Sequence, residues 1–312
     1  MALGALRHRN FQLFVGGQFV SLIGTWMQTV AVGWVVLGLT NSPFQVGLVS
    51  TLGALPVLLF TLYGGVVADR SNKQRLVMFL QAGMLIEATS LAVLTQTGHI
   101  TVHWIQGLAI LSGCFSAFEI PARQAFVVEM VGKEDLFTAV AVNSTVFNAT
   151  RVIGPAFAGV LLAAAGAAAC FYVNTASYFA VLIALFLMRL PPQAPRGPSS
   201  AAGDLSALWE GVRFIFTRPM QRTLVLVTTS FSIFGFAFIP MLPVYARDVL
   251  HTGSAGYGAL MSAVGIGAAC GAIGSALWGH RLERERWVLP CAMVFGVFLV
   301  GAGVAPNLPI AF

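Results

Sequence analysis

Charge is what this sequence has least of. Asp, Glu, Lys and Arg together make up 9% of the 312 residues, against roughly 25% in an average soluble domain, so a soluble globular protein is excluded. Cysteine is also sparse. Cys114, Cys170, Cys270 and Cys291 stand alone in apolar stretches, with neither a C-x-x-C pair nor a His at ligand spacing, and they read as buried free thiols. The motifs of common chemistry are missing. No H-E-x-x-H, G-x-S-x-G or Walker A pattern occurs, and Gly265-x-Gly267 lacks the preceding strand of a dinucleotide site. No catalytic residue, metal site or cofactor is expected, and the chain does not read as an enzyme.

What is abundant is apolar. Hydrophobic residues make up 57% of the chain, and the mean hydropathy is +0.84. A bilayer core of about 30 Å needs about 20 apolar residues per helix, and nine such stretches are present: 11–39, 44–68, 76–97, 102–123, 137–163, 168–189, 223–245, 254–279 and 287–305. Glycine, alanine and serine within them allow close helix packing in lipid. The fold class is an all-α polytopic membrane protein. Arg7 and Arg9 precede the first run as in a signal peptide, but the run is too long for one and reads as a retained first span.

The few charges are sorted by side. Fifteen of the 17 Lys and Arg residues fall in loops on one side, while Arg247 lies opposite and Arg151 lies within a span. Positive residues are retained on the cytoplasmic side, which places the N-terminus in the cytoplasm of a cell with the chain in its inner or plasma membrane. The net charge of +6 is therefore topology and not a nucleic-acid footprint. Pro191, Pro192, Pro195 and Pro198 open the longest connection, which divides the chain into residues 1–190, a linker at 191–222 and residues 223–312. Within the linker, 204–217 has an apolar helical face, with Arg213 and Arg218 placed to meet lipid phosphates. A helix lying on the bilayer surface is expected there.

The chain also repeats. The segment Asp69-Arg70-Ser71-Asn72-Lys73-Gln74-Arg75 aligns with His280-Arg281-Leu282-Glu283-Arg284-Glu285-Arg286 at an offset of 211 residues. A six-span unit, a linker and a second copy in parallel orientation resemble the major facilitator superfamily. Gly65 to Arg75 resembles that superfamily's signature loop between spans two and three, with Asn72 where glycine is usual. Gly154-Pro155-Ala156-Phe157-Ala158-Gly159 resembles its antiporter motif, with Ala158 replacing one glycine. Pro121-Ala122-Arg123-Gln124-Ala125, Val142-Asn143-Ser144 and Arg151-Val152-Ile153-Gly154-Pro155 are similar to the enterobactin-exporter-like, or transmembrane secretion effector, branch. That resemblance implies twelve spans, so nine of twelve are expected here and the sequence reads as C-terminally truncated.

Candidate residues follow. Gln18, Ser21, Thr25, Gln28 and Thr29 share one face of span one, and Ser112, Ser116, Glu119 and Arg123 share one face of span four. The resemblance implies that these two helices line the central cavity; bonds that bind the bundle together are the other reading of the uncharged members. Glu87 and Arg151 sit in mid-span, where an ionisable group costs at least ~2.5 kcal/mol and is by default functional. Glu87 is a proton-coupling candidate on a helix that the resemblance makes peripheral. Arg151 is expected to hold an anionic cargo, to bias a proton-carrying carboxylate, or to serve in a structural pair. Gly65, Asp69, Arg70, Lys73 and Arg75 form a candidate conformational latch, with Glu119 and Arg123 expected to pair with the Asp69 loop. The resemblance implies that Asp69 faces the dipole of an eleventh helix, absent from this sequence.

These readings imply a secondary transporter whose partners are the lipid bilayer, protons and a small amphiphilic cargo of drug or siderophore class. Proton-coupled export by alternating access is expected. A truncated, non-transporting remnant or membrane partner of an intact transporter is the alternative, and uptake stays open.

Overall fold

The computed structural model describes residues 4–132, 134–188, 213–214, 216–235, 237–278 and 284–303. Most of the 204–217 stretch, the linker prolines and much of the second basic loop at 280–286 lie outside these residues. Among the described residues, six helices are long and apolar enough to cross a membrane, and one of them is two spans folded at a glycine. With the seventh and ninth segments, all nine expected spans are present.

Span one is Arg9–Thr40 and stops at Asn41, which takes a left-handed backbone (φ 48°) and donates its N–H to the Leu37 carbonyl at 2.9 Å. Asparagine tolerates that conformation better than other non-glycine residues. Span two, Pro43–Arg70, opens on Pro43, whose missing N–H costs nothing in a first turn. Span three, Lys73–Gln96, is capped by Asn72, whose side-chain oxygen accepts the Arg75 N–H at 3.0 Å. The residue that departs from the superfamily's glycine thus has a local role of its own.

Span four is Val102–Val131, longer than the apolar run suggested. Hydropathy ended it at Arg123, but the helix continues because its charges find partners: Arg123 meets Glu119 at 3.0 Å and Glu129 meets Lys73 at 2.9 Å. Spans five and six form one run, Leu136–Leu187, reversed at Gly166 (φ 78°). Glycine alone enters that region without a steric cost. Span seven, expected as one helix over 223–245, is instead broken into Pro219–Ser230, a π turn at Phe231–Gly235, a 3-10 turn at Ile239–Met241, a short helix Leu242–Val244 and a second π turn at Tyr245–Val249. Pro240 and Pro243 remove two donors within it, and the hydrogen-bond ladder shifts register around them. Span eight is Gly253–Trp278 and span nine is Arg284–Gly303.

Span one packs along the fifth and sixth spans, span two along span four, and span three against spans four to six. Prolines set two of the closest crossings. Pro121 cannot donate to the Ala117 carbonyl, and Gly64 of span two lies so close to that carbonyl that a Cβ there would collide with it. Pro155 likewise leaves the Arg151 carbonyl without its helical donor, and a Cβ on Gly265 of span eight would stand 2.6 Å from that oxygen. One turn along, a Cβ on Gly258 would be 2.5 Å from the Gly159 Cα. The antiporter-like residues Pro155 and Gly159 are therefore where span eight meets span five. Gly154 faces span one at Trp26.

Burial is inverted relative to a soluble protein. Leu58, Phe137 and Phe186 point outward, whereas Gln18, Gln81, Glu87, Glu119 and Asn174 are buried. Lipid accepts the former, and hydrogen bonds between helices satisfy much of the latter. Two cysteine expectations need correction: Cys270 and Cys291 are exposed, while Cys170 is buried. Their small, apolar surface suits the outward faces of spans eight and nine.

Candidate functional site

Spans one to four enclose a cavity of about 390 Å³, with Tyr178 of span six on its wall and Ile239, Pro240, Tyr257 and Met261 of the later spans at one end. Gln18, Ser21, Thr25, Gln28 and Thr29 reach it from span one, and Ser112, Ser116, Glu119 and Arg123 from span four. Both stripes singled out by helical spacing therefore face the same space. The third span is not peripheral to it. Gln81, Met84, Glu87 and Leu91, at intervals of three and four residues, give it one face on the cavity.

Polar groups gather in two layers. In the deeper layer Glu87, 2% exposed, receives the Gln28 amide on both carboxylate oxygens at 3.1 Å. Gln28 Oε1 accepts from Asn174 Nδ2 at 2.7 Å, and Asn174 Oδ1 accepts from the Ser177 hydroxyl at 3.1 Å. Spans one, three and six are thereby tied by one chain of bonds. No cation is bonded to Glu87 among the described residues.

The second layer lies nearer the ends that carry Arg9, Lys73 and Arg75, the basic side. Glu119 Oε1 accepts from Gln81 Nε2 at 3.2 Å and pairs with Arg123 Nε at 3.0 Å. An ion pair between these residues and the Asp69 loop was expected; the structure pairs them with each other. Four-residue spacing places them one turn apart on the same face of span four.

The loop itself divides. Lys73 is buried and holds Glu129 at the end of span four, while Asp69, Arg70 and Arg75 are exposed and Gly65 is half-buried. Asp69 has no bond among the described residues. Gln74 donates to the Leu185 carbonyl at 2.7 Å, joining span three to the end of span six. Arg151 stands apart from the cavity wall: its guanidinium lies 5.9 Å from the centre of the Trp26 ring, half-buried between spans one and five. An aromatic face offers a cation partial compensation there.

The opposite end is closed. Trp34 of span one stacks on Tyr257 of span eight, with centroids 6.3 Å apart. Beyond them Arg247 donates to the Leu37 carbonyl at 3.2 Å and to Asn41 Oδ1 at 2.9 Å, and it pairs with Asp248 at 2.6 Å. The lone basic residue of this side is thus a clasp between spans one and seven.

Gln81, Asn174 and Tyr178 were missed in the sequence. Their signal was present but weak: an uncharged amide inside an apolar run carries less cost than a charge, and only its partner on another helix reveals its role. Among the described residues, no group of three or more His, Cys, Asp or Glu side chains is placed to hold a metal.

The fold has solved counterparts. A bacterial homologue of the human lysosomal transporter Spinster superposes over 98% of this chain and 71% of its own, with a TM-score of 0.75 at 15% identity. In sequence, the Staphyloferrin A transporter of Staphylococcus aureus is 30% identical over 309 residues, covering 96% of this chain and 75% of that protein. The multidrug efflux pump Tap of Mycolicibacterium fortuitum is 26% identical over 92% of this chain and 71% of its own length. The enterobactin exporter EntS of Shigella flexneri is 27% identical over 88% of this chain and 64% of its own length. The transmembrane secretion effector family matches residues 1–312 from end to end, and the chain belongs to that family of major facilitator membrane transporters.

Proposed function

We propose that the protein is a proton-coupled exporter of small amphiphilic molecules, an antiporter of the cell membrane working by alternating access. The observation that carries this is Glu87. It is a carboxyl group in mid-span, on the wall of the cavity, bonded among the described residues only to the neutral Gln28 amide. Ionisable groups at that depth mark proton relays and transport pathways. Gln18, Ser112 and Ser116 line the same cavity as Glu87, among apolar side chains such as Leu22, Met84 and Ile120 that suit an amphiphilic cargo.

The similarity to the Staphyloferrin A transporter, the multidrug efflux pump Tap and the enterobactin exporter supports a cargo of that class, and the last two support the outward direction. The positive-inside bias of 15 in 17 basic residues supports a cytoplasmic N-terminus and a basic side facing the cytoplasm. In this reading residues 1–190 and the bundle beginning at 223 rock against each other about the Gly159–Gly258 crossing, with the 191–222 linker between them. The clasp of Arg247 on Asn41 and the Trp34–Tyr257 stack break when the outer end opens. Asp69 and Arg70, exposed beside the anchored Lys73, latch the cytoplasmic side in the opposite state. Arg151, set between Trp26 and the backbone facing Gly265, acts at this hinge and not on cargo.

The test is reconstitution of the full-length protein in liposomes with an imposed pH gradient. Flux of a lipophilic drug or of a siderophore is expected to follow the gradient, and Glu87→Gln is expected to reduce it at least ~10-fold, the scale of one lost proton-dependent step. Flux indifferent to the gradient, or unchanged in Glu87→Gln, overturns the proposal.

A further inference from the structure

The basic-side layer is incomplete in a way the deeper layer is not. Gln18 and Gln81 are each 3% exposed, both line the cavity, and Gln18 Nε2 and Gln81 Oε1 have no hydrogen-bond partner among the described residues. Buried polar atoms are almost always paired, so two unpaired ones on a single wall point to something that binds there. The orientation of the Gln81 amide follows from its partner: its nitrogen faces the Glu119 carboxylate, and the oxygen is left over.

Arg123 completes the set. Glu119 Oε1 lies 3.0 Å from its Nε as an ion pair, which keeps the guanidinium beside the carboxylate although the Nε–H makes no hydrogen bond, and its two terminal nitrogens have no partner among the described residues. Gln18, Gln81 and Arg123 lie eight or nine residues from Arg9, Lys73 and Val131, the basic-side ends of their helices, or roughly 12–14 Å at 1.5 Å per residue. They share one depth. A guanidinium fork paired with Glu119 through Nε, with two free terminal nitrogens, matches a planar two-oxygen acceptor, and an amide donor at the same depth adds a third bond to it.

We propose that Arg123, Gln18 and Gln81 form a carboxylate-binding subsite for cargo. The carboxylate takes the Arg123 fork and the Gln18 amide, and a neighbouring hydroxyl or N–H of the same molecule donates to Gln81 Oε1. Glu119 is a positioning residue: it orients the fork and offsets its charge, so the cavity accepts an anion without holding a bare cation when empty. This gives Arg123 a role apart from the signature loop, and it separates anion recognition from the proton site at Glu87, six residues beyond Gln81 on the third span and roughly 9 Å deeper.

The inference rests on the reading of this cavity as the cargo path, but its test is binding and not transport. The full-length protein in nanodiscs is titrated calorimetrically with 1-naphthylacetate, with its neutral isostere 1-naphthylacetamide and with 2-(1-naphthyl)ethylamine. The carboxylate is expected to bind at least ~10-fold more tightly than the amide, as one charge-assisted contact set warrants. Arg123→Gln removes that preference while amide affinity persists, Arg123→Lys retains part of it, and Glu119→Gln, which frees the guanidinium charge, tightens carboxylate binding several-fold. Should Arg123→Gln fail to fold, the Arg123→Lys and Glu119→Gln arms decide. Equal binding of acid and amide, preference for the amine, no binding of any probe, or weaker carboxylate binding in Glu119→Gln overturns the proposal. Carboxylate preference without gradient-driven flux leaves the subsite standing and counts against proton-coupled export alone.

Discussion

Each of the two polar layers centres on a glutamate that accepts a glutamine amide, and they differ in how the remaining groups are satisfied. Around Glu87, the Gln28, Asn174 and Ser177 side chains form a continuous chain of bonds across three helices. Around Glu119, among the described residues, two glutamine atoms are left without partners and the Arg123 fork is unpaired at its terminal nitrogens. A closed network fixes helices and holds one titratable group in a defined place; an open one leaves donors and acceptors of defined chemistry on the cavity wall. In the proposed reading one cavity separates a coupling site from a recognition site by roughly two turns of helix.

Substitutions that strain this contrast should differ in size. Gln28→Leu is the most severe: it takes the donor from Glu87 and the acceptor from Asn174 together, and two buried groups left unpaired cost about 3 kcal/mol, read as a lowered thermal midpoint in detergent. Asn174→Leu removes one bond to Gln28 and one from Ser177, and about 1–2 kcal/mol is expected in the same measurement. Gln18→Leu, on the open layer, breaks no bond of its amide nitrogen, so a change within about 0.5 kcal/mol is expected. A loss comparable to that of Asn174→Leu would show the second layer to be closed as well. Smallest of all is Asp248→Asn: the pair with Arg247 is exposed, and Arg247 keeps its bonds to Leu37 and Asn41, so melting should not move measurably.

How much of this could be read from the residues depends on the scale of the signal. The spans and their number were legible because lipid demands about 20 apolar residues in a row. The stripes on spans one and four were legible because Gln18, Thr25, Gln28, Ser112 and Ser116 recur at helical spacing. Span four's true end at Val131 was not, since hydropathy cannot see that Glu129 is neutralised by Lys73 from another helix. The broken course of span seven follows from Pro240 and Pro243, visible in the sequence, but the register shifts around them depend on packing. For Arg151 mid-span depth was legible, whereas the side of the helix on which it meets Trp26 was a matter of tertiary contact.

The central claim is that Glu87 carries the coupling proton in a cavity whose cargo site lies elsewhere. Counterflow exchange and gradient-driven transport of one transported compound, measured side by side in proteoliposomes of the wild type and Glu87→Gln, separate these directly. The account predicts that Glu87→Gln keeps exchange within about threefold of wild type while gradient-driven accumulation falls at least ~10-fold. Persistence of gradient-driven accumulation, or loss of both activities together in a folded variant, would contradict it.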